Sequence, residues 1–129
     1  MTHPLSMAQQ IGQTAIAFEI KRLGRRPTSA TVALGGDTLV ITMHGVLTAA
    51  ELALTASPAG AAQVQEFHQN LFQLSSDPLR REIERITGLK ICEDAKNQAT
   101  AAVQVFSVGT VVQVFLLAGR LRADTWDGA

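Results

Sequence analysis

The chain of 129 residues lacks most of the features that assign a protein to a functional class. It has one cysteine, Cys92, so no disulfide can form within the chain. The first four residues carry neither a basic leader nor an apolar run behind them, so no cleavable signal peptide is predicted. Because both absences are typical of proteins kept in a reducing compartment, the sequence predicts a cytoplasmic protein.

The chain also lacks an excess of charge of either sign. Eleven basic and eleven acidic residues cancel, so neither nucleic acid nor an anionic membrane surface is expected as the main partner. Apolar residues, in contrast, make up 47% of the chain, which is high for a small domain. A chain of this length fits one domain over residues 1–129, and its apolar surplus predicts an interface, in the first place that of a homodimer.

Residues 6–23 are predicted to form the first helix, with Ser6 as its N-cap and Gly24 as its left-handed C-cap. The apolar residues of this helix form two stripes on nearly opposite sides, one with Ile11, Ala15 and Phe18 and the other with Ile16, Ile20 and Leu23. One surface of a domain cannot cover both stripes. The second stripe is therefore expected to meet another helix or a partner subunit.

A β-hairpin is predicted next, since residues 31–34 and 38–44 are rich in β-branched side chains and flank a Gly-Gly-Asp turn. Thr48 and Glu51 then have the spacing of a capping box, with Leu47 in front of them, and so predict a short helix. Residues 57–60 end this helix, and a longer helix is predicted to start near Ala61.

The longer helix has one apolar stripe before a predicted bend at Asp77-Pro78 and another after it. Thr87 and Gly88 are predicted to end it. The first stripe consists of Val64, Phe67, Leu71 and Leu74, and the second of Leu79, Ile83 and Ile86.

A second strand pair is predicted over residues 89–94 and 99–106, joined by a polar turn at 95–98. The order helix, two strands, helices, two strands predicts an α+β fold with an antiparallel sheet and the helices on one face. Residues 112–115 repeat the Val-Gln-Val-Phe of residues 103–106, so the extension over residues 107–129 is expected to add a strand or a terminal helix that docks on a partner. Its last ten residues are expected to fray.

A transmembrane segment is the alternative for this region, because no charge occurs over residues 97–119. Three glutamines, an asparagine, several hydroxyls and a strand-like alternation argue against insertion into a bilayer. No direct membrane span is therefore expected.

The main candidate binding residues are the basic side chains Lys21, Arg25 and Arg26 at the end of the first helix, beside the rigid Pro27. They could bind an anion such as a phosphate, a nucleotide or bicarbonate. The alternative is that basic residues at a helix C-terminus only complement the helix dipole.

No catalytic or metal-ligating constellation stands out in the sequence. Cys92 lacks a neighbouring base, and His3, His44 and His68 lack ligand spacing, so neither a cofactor nor a metal site is predicted. Glu51 is explained by its capping box, so an enzyme that uses Cys92 or Glu51 is the weakest hypothesis and the chain is expected not to be an enzyme. His68 is expected to titrate near neutrality if it meets Glu66 or Glu84.

Four segments carry a resemblance to a known family. Residues 45–51, Gly-Val-Leu-Thr-Ala-Ala-Glu, resemble the signature G-V-L-T-x-x-E of the MpsC family. Residues 24–27 are similar to its G-R-G-P turn, residues 83–91 to its segment containing T-G, and residues 103–106 to its closing V-x-V-F. The similarity covers residues 11–106. Arg26 replaces the second glycine of the turn, and His68 stands where the family usually carries an arginine.

The resemblance implies an accessory or regulatory role in a membrane-potential-generating or ion and inorganic-carbon uptake system, and it implies a membrane protein as a partner. It marks Gly24, Pro27, Leu47, Thr48, Glu51, Thr87 and Gly88 as signature residues. The candidate ligand contacts are the basic residues Lys21, Arg25 and Arg26, together with His68. Two functional hypotheses therefore stand beside each other: a self-associating accessory protein, and an anion- or nucleotide-sensing domain.

Overall fold

One helix, two strands, three helices and two strands follow one another in the computed structural model, which describes residues 5–92 and 101–121 together with Trp126. The described helices are α1 (Met7–Leu23), α2 (Ala49–Leu54), α3 (Pro58–Ser75) and α4 (Asp77–Thr87). The described strands are β1 (Ser29–Gly35), β2 (Thr38–His44), β3 (Ala101–Val105) and β4 (Val111–Leu116). The predicted α+β class is confirmed.

The four strands form one antiparallel sheet in the order β1-β2-β4-β3. The predicted hairpin joins β1 to β2 through Gly36 and Asp37, and Gly36 has the positive φ of 64° that such a turn requires. β1 and β3 are therefore the two edge strands of the sheet.

The predicted second strand pair is wrong in its partners. β3 pairs with β4, so the C-terminal extension supplies a central strand rather than an optional one. In the described part of residues 89–94, Ile91 forms only an isolated bridge to Leu117. The uncharged run of β4 is buried on its core-facing side and can occupy the middle of the sheet, which the segment containing Lys90 is less suited to do. The predicted turn at 95–98 lies outside the described residues.

The core lies between the inner face of the sheet and the helices. Leu39, Ile41 and Met43 of β2 are fully buried, as the alternation predicted. Trp126 is also buried in this core, at 8% exposure, so the prediction that the last ten residues fray is wrong at this position. Among the helices of the described ranges, none has an apolar stretch of the length needed to cross a membrane.

The first helix begins and ends as predicted. Ser6 and Gln9 form a reciprocal capping box, and Gly24 closes the helix at a φ of 72°. Ile11 and Ala15 on the inner stripe have no exposed surface. Of the second stripe, Leu23 packs partly against the core, which corrects its predicted position, whereas Ile16 and Ile20 stay on the outside.

The apolar stripe predicted for the longer helix is not the one that α3 buries. Val64 is buried, but Phe67 and Leu74 are 54% and 87% exposed. The buried positions instead follow an i, i+4 row that includes His68 and Phe72. Both rows are geometrically possible on a helix, and the position of α3 against β3 selects the second.

The helix boundaries fall close to the predicted breaks. Ser57 caps α3 and Pro58 is its first residue, so the helix starts three residues before Ala61. Ser76 separates α3 from α4 and takes the cap position predicted for Asp77. Gly88 ends α4 at a φ of 73°, as predicted.

Candidate functional site

The start of α2 has the geometry that the sequence predicted. The hydroxyl of Thr48 accepts a hydrogen bond from the backbone N–H of Glu51 at 3.0 Å. The carboxylate of Glu51 accepts one from the backbone N–H of Thr48, also at 3.0 Å. Leu47, in front of the cap, is buried. The signature residues of this segment therefore fix the position of the Glu51 side chain.

The second carboxylate oxygen of Glu51 meets His68 on α3. Nε2 of His68 lies 2.7 Å from Oε2 of Glu51, and His68 is only 2% exposed. Since an ionised carboxylate can only accept, Nε2 carries the proton of this hydrogen bond. The predicted partners of His68, Glu66 and Glu84, are not the observed one. Glu66 lies two positions away on the same helix and is exposed, and the carboxylate of Glu84 accepts a hydrogen bond from the backbone N–H of Ile91, whereas α2 brings Glu51 to His68 from another element.

The pKa of Glu51 lies below its ordinary value of 4.5. Burial alone would raise this pKa, but the hydrogen bond from the Thr48 backbone and the bond and charge of His68 outweigh burial. Glu51 is therefore held as a carboxylate at the junction of α2 and α3.

A buried ion pair lies on the inner side of α1. Glu19 and Arg22 contact each other one helical turn apart, with side chains 1% and 6% exposed. Arg22 also lies over the ring of Phe18, at 4.8 Å from its centroid. Burial raises the pKa of Glu19, although the charges of Arg22 and His68 oppose the rise. Burial likewise lowers the pKa of Arg22 against the attraction of Glu19.

Gln113 on the central strand β4 completes this polar group. It has no exposed surface, and neither atom of its amide has a partner at hydrogen-bonding geometry, although the amide lies close enough to Glu19 to lower its pKa. One carboxylate oxygen of Glu19 and two nitrogens of Arg22 are also buried without a partner. Glu51, His68, Glu19, Arg22 and Gln113 thus form an internal polar cluster with unused donors and acceptors.

Sequence analysis missed three members of this cluster. Glu19 and Arg22 were hidden because charged residues on a helix are usually exposed, and the i, i+3 spacing was the only signal. Gln113 could have been found from its phase, since it lies on the same face of β4 as Val111 and Phe115, which are buried.

Arg25 has a structural contact rather than a free guanidinium. Its two terminal nitrogens donate to the backbone carbonyls of Val46 and Leu47, at 3.1 Å and 3.2 Å. These bonds tie the end of α1 to the signature segment that precedes α2. Lys21 and Arg26 are exposed, and His68 lies inside, so the structure does not bring the four candidate ligand contacts to one surface. Anion binding by Lys21, Arg25 and Arg26 stays a prediction.

The other candidate residues lie apart from the cluster. The backbone N–H of Cys92 donates to the carbonyl of Leu116 at 2.8 Å, and Nδ1 of His44 lies 2.9 Å from the hydroxyl of Thr110. Within residues 5–92 and 101–121, no group of three or more metal-ligating side chains could hold an ion. His3 lies outside the described residues. That the chain is not an enzyme stays a prediction.

The outer side of α1 is an apolar surface that the described part of the chain leaves uncovered. Gln13, Ile16, Ala17 and Ile20 form what we call the outer stripe, and Ile20 is 38% exposed. A groove of about 290 Å³ lies between α1 and β1, lined by Gly12, Ile16, Val32 and their neighbours. A second groove, of about 270 Å³, continues along the outer stripe to Arg26.

The two edges of the sheet differ beside these helices. Gln65 of α3 donates to the carbonyl of Val103 and accepts from the N–H of Val105, both at 2.7 Å, and so closes the edge of β3. In the described chain, no backbone or side-chain group makes a comparable hydrogen bond to the outer side of β1. The bare edge of β1 and the outer stripe of α1 therefore lie on the same side of the molecule.

Comparisons with known proteins support the resemblance carried by the signature segments. No curated protein and no solved structure matches the chain. A family model described as the Na+-translocating membrane potential-generating system (MpsC) matches residues 4–111, and the chain therefore belongs to the MpsC family.

Proposed function

We propose that this chain is a non-enzymatic accessory component of a Na+-translocating membrane-potential-generating system, and that it works on the cytoplasmic side as a self-associating binding module. Family membership supports the membrane-system context. The observation that carries the self-association is the outer stripe of α1, where Ile16 and Ile20 line two grooves on a surface that the described chain leaves open.

The inner side of α1 explains why this stripe cannot turn inward. Ile11 and Ala15 are fully buried, and the Glu19–Arg22 pair is fixed on the same side of the helix. Rotating α1 to bury Ile16 and Ile20 would bring these groups to the surface. Fully burying an exposed isoleucine side chain stabilises by about 2 kcal/mol. Ile20 is 38% exposed and Ile16 is half-buried, so each of the four side chains in a pair of copies contributes part of this amount to association.

A second apolar surface supports a membrane-protein partner in addition to a second copy. Leu52 and Leu54 of α2 are 40% and 46% exposed, and Phe67 and Leu74 of α3 are exposed more strongly still. This surface lies on elements other than α1. A component of the membrane system can therefore bind there while α1 is occupied by the second copy.

The oligomeric state tests the self-association. We expect size-exclusion chromatography with light scattering to give a dimer at high micromolar concentration, and a monomer for Ile16→Lys/Ile20→Lys, because two charges would have to be buried in the interface. Leu74→Lys is the matched control, since it places a charge on the exposed apolar surface of α3. A monomeric wild-type chain, or a dimer that ignores the α1 substitutions, would overturn the proposal.

The role in the membrane system is tested in cells that lack the chain. We expect a potential-sensitive dye to report a reduced sodium-dependent membrane potential, which wild-type protein restores and Ile16→Lys/Ile20→Lys does not. An unchanged potential in the deletion strain would contradict the accessory role. Full restoration by a variant shown to be monomeric would contradict the link between self-association and function.

A further inference from the structure

We propose that two copies join along the bare edge of β1, antiparallel and related by a two-fold axis, to form one continuous eight-stranded sheet with their α1 helices side by side. This proposal rests on the self-association in the proposed function and names its geometry. The occupant of the outer stripe is the α1 helix of the second copy.

Among the residues that the structure describes, the edge of β1 has none of the devices that keep edge strands apart. Its seven residues, Ser29–Gly35, contain no charge and no proline. Native sheets usually protect an edge with charges, proline, a bulge or a covering element. β3, at the other side of the same sheet, is covered by Gln65. The chain therefore closes one edge and leaves the other available for strand addition.

The register of β1 suits pairing with its own copy. Gly35 and Thr38 flank the two-residue turn and form a hydrogen-bonded pair. In an antiparallel ladder every second residue of a strand bonds to the neighbouring strand, and the residues between them direct their N–H and C=O groups to the other side. Thr31 and Ala33 thus bond inward to β2, while Ala30, Val32 and Leu34 present their N–H and C=O groups outward. Val32 is the middle residue of β1, so pairing Val32 with itself overlaps all seven residues in a hydrogen-bonding register.

The positions of the α1 helices fit the same junction. α1 contacts β1 and, to a smaller extent, β2. Adjacent strands lie about 4.8 Å apart and packed helices about 8–10 Å apart, so helices that lie over their own β1–β2 pairs meet near packing distance across a β1–β1 junction. The groove lined by Gly12, Ile16 and Val32 opens at this edge and would receive the outer stripe of the copy.

Charge also favours the antiparallel arrangement. The exposed charges of α1 and the turn after it, Lys21, Arg25 and Arg26, lie at the C-terminal end, and Glu19 is buried. A parallel pair would bring the basic ends together. The two-fold arrangement separates them by about the helix length, roughly 25 Å for 17 residues, and opposes the helix dipoles.

The size of this surface sets the concentration range of the test. One strand and one helix side by side cover about 25 Å by 20 Å, or about 1,000 Å² for both copies in flat projection. This area is at the threshold for a specific interface. We therefore expect a dimer that dissociates in the micromolar range, where sedimentation can follow both species.

Charges on β1 test the junction in the full chain. In the proposed register, Thr31 of one copy lies opposite Ala33 of the other, and both side chains are exposed. We expect Thr31→Lys/Ala33→Lys to weaken the dimer by about 30-fold or more, because like charges face each other at both positions. Thr31→Lys/Ala33→Glu should keep the dimer, since each lysine then faces a glutamate.

Gln104→Lys is the matched control, because Gln104 is exposed on the strand at the other edge. We expect it to leave the dissociation constant unchanged. Wild-type affinity in Thr31→Lys/Ala33→Lys, together with a monomeric Ile16→Lys/Ile20→Lys variant, would overturn the β1 junction and leave the proposed function standing. Loss of the dimer in Thr31→Lys/Ala33→Glu would overturn the register, and a monomeric wild type would overturn both proposals.

Discussion

The sheet ends differently at its two edges. At β3, the amide of Gln65 reaches from α3 and bonds to both Val103 and Val105, so that the edge is occupied. At β1, α1 lies against the inner face and contributes no comparable bond within the described chain. One helix thus closes an edge and the other leaves it open beside an apolar stripe.

This difference shows that an open strand edge indicates an interface more clearly when an uncovered apolar surface lies next to it. A single open edge is a common risk in antiparallel sheets, and most proteins protect it. Within the described residues, the protection is present where α3 lies and missing beside the outer stripe, where Ile20 is exposed and Ile16 is half-buried. The edge of β1 and the outer stripe of α1 can both be covered by one partner that has a strand edge and an apolar helix in the same arrangement. A second copy has both, which is why it is the proposed occupant.

The largest loss of stability is expected from removing the ion pair that holds α1 in place beside the open edge of β1. Glu19→Gln leaves Arg22 as a buried charge without its partner, so we expect the free energy of unfolding to fall by about 3 kcal/mol. Urea unfolding measures the loss. Glu66→Gln, which removes an exposed acid from α3 on the closed side, should change the stability by less than about 0.5 kcal/mol. Equal effects of the two variants would show that the buried pair does not anchor α1.

A smaller loss is expected from opening the closed edge. Gln65→Ala removes two hydrogen bonds to β3 and should cost about 1–2 kcal/mol. It also makes the two edges alike, so we expect species larger than a dimer at high concentration by sedimentation velocity. Gln63→Ala, on an exposed position of the same helix, is the control and should do neither. An unchanged stability and size in Gln65→Ala would mean that the amide does not protect β3.

The repeated Val-Gln-Val-Phe segments place a glutamine at the same position in the edge strand β3 and in the central strand β4, so the two glutamines can be compared directly. Gln104 of β3 is exposed, whereas Gln113 of β4 is buried with an unpartnered amide. We expect Gln113→Met to raise the stability by about 1 kcal/mol, because it removes buried polar atoms at similar volume. Gln104→Met should stay within about 0.5 kcal/mol. Destabilisation by Gln113→Met in thermal unfolding would show that the amide has a stabilising partner.

The two sides should also respond to pH in opposite senses. Because the pKa of Glu51 is lowered by its hydrogen bonds despite burial, its stabilisation is complete above about pH 4.5 and is lost as the pH falls through the lowered value. Because burial raises the pKa of Glu19, the folded state binds the extra proton, and stability falls as the pH rises from 4.5 through the raised value.

Urea unfolding across a pH series checks these signs. We expect Glu51→Gln to remove the loss on the acid side, and Glu19→Gln to remove the decline above pH 4.5. Glu82→Gln serves as the control, since its pair with Arg85 is exposed and screened by solvent. Profiles of Glu51→Gln and Glu19→Gln that both keep the wild-type shape would contradict the assignment.

The local elements could be predicted because their signals are local. Ser6 with Gln9, Thr48 with Glu51, and Gly88 carry cap geometry that depends on a few neighbouring residues. The pairing of β3 with β4 could not be predicted in the same way, because strand partners depend on contacts distant in sequence. Residues 89–94 also have the composition of a strand, so in the sequence they compete with residues 112–115 for the position next to β3.

The polar cluster was beyond sequence reasoning for a different reason. The sequence offered Glu66 or Glu84 as partners of His68, and only the packing of α3 against α2 and β3 brings it to Glu51. The burial of Glu19 depends on Arg22 and on the position of α1 over the sheet. The second stripe of α1, in contrast, was visible in the sequence, and its members Ile16 and Ile20 lie half-buried and exposed on the outer side of the helix.

Hydrogen exchange at the two edges tests the central claim most directly. We predict that the outward amides of Ala30, Val32 and Leu34 become more protected as the protein concentration rises from below to above the dissociation constant. The amide of Val105, which Gln65 already holds, should exchange at the same rate throughout. Fast exchange at Val32 in a sample that sedimentation shows to be dimeric would contradict the account.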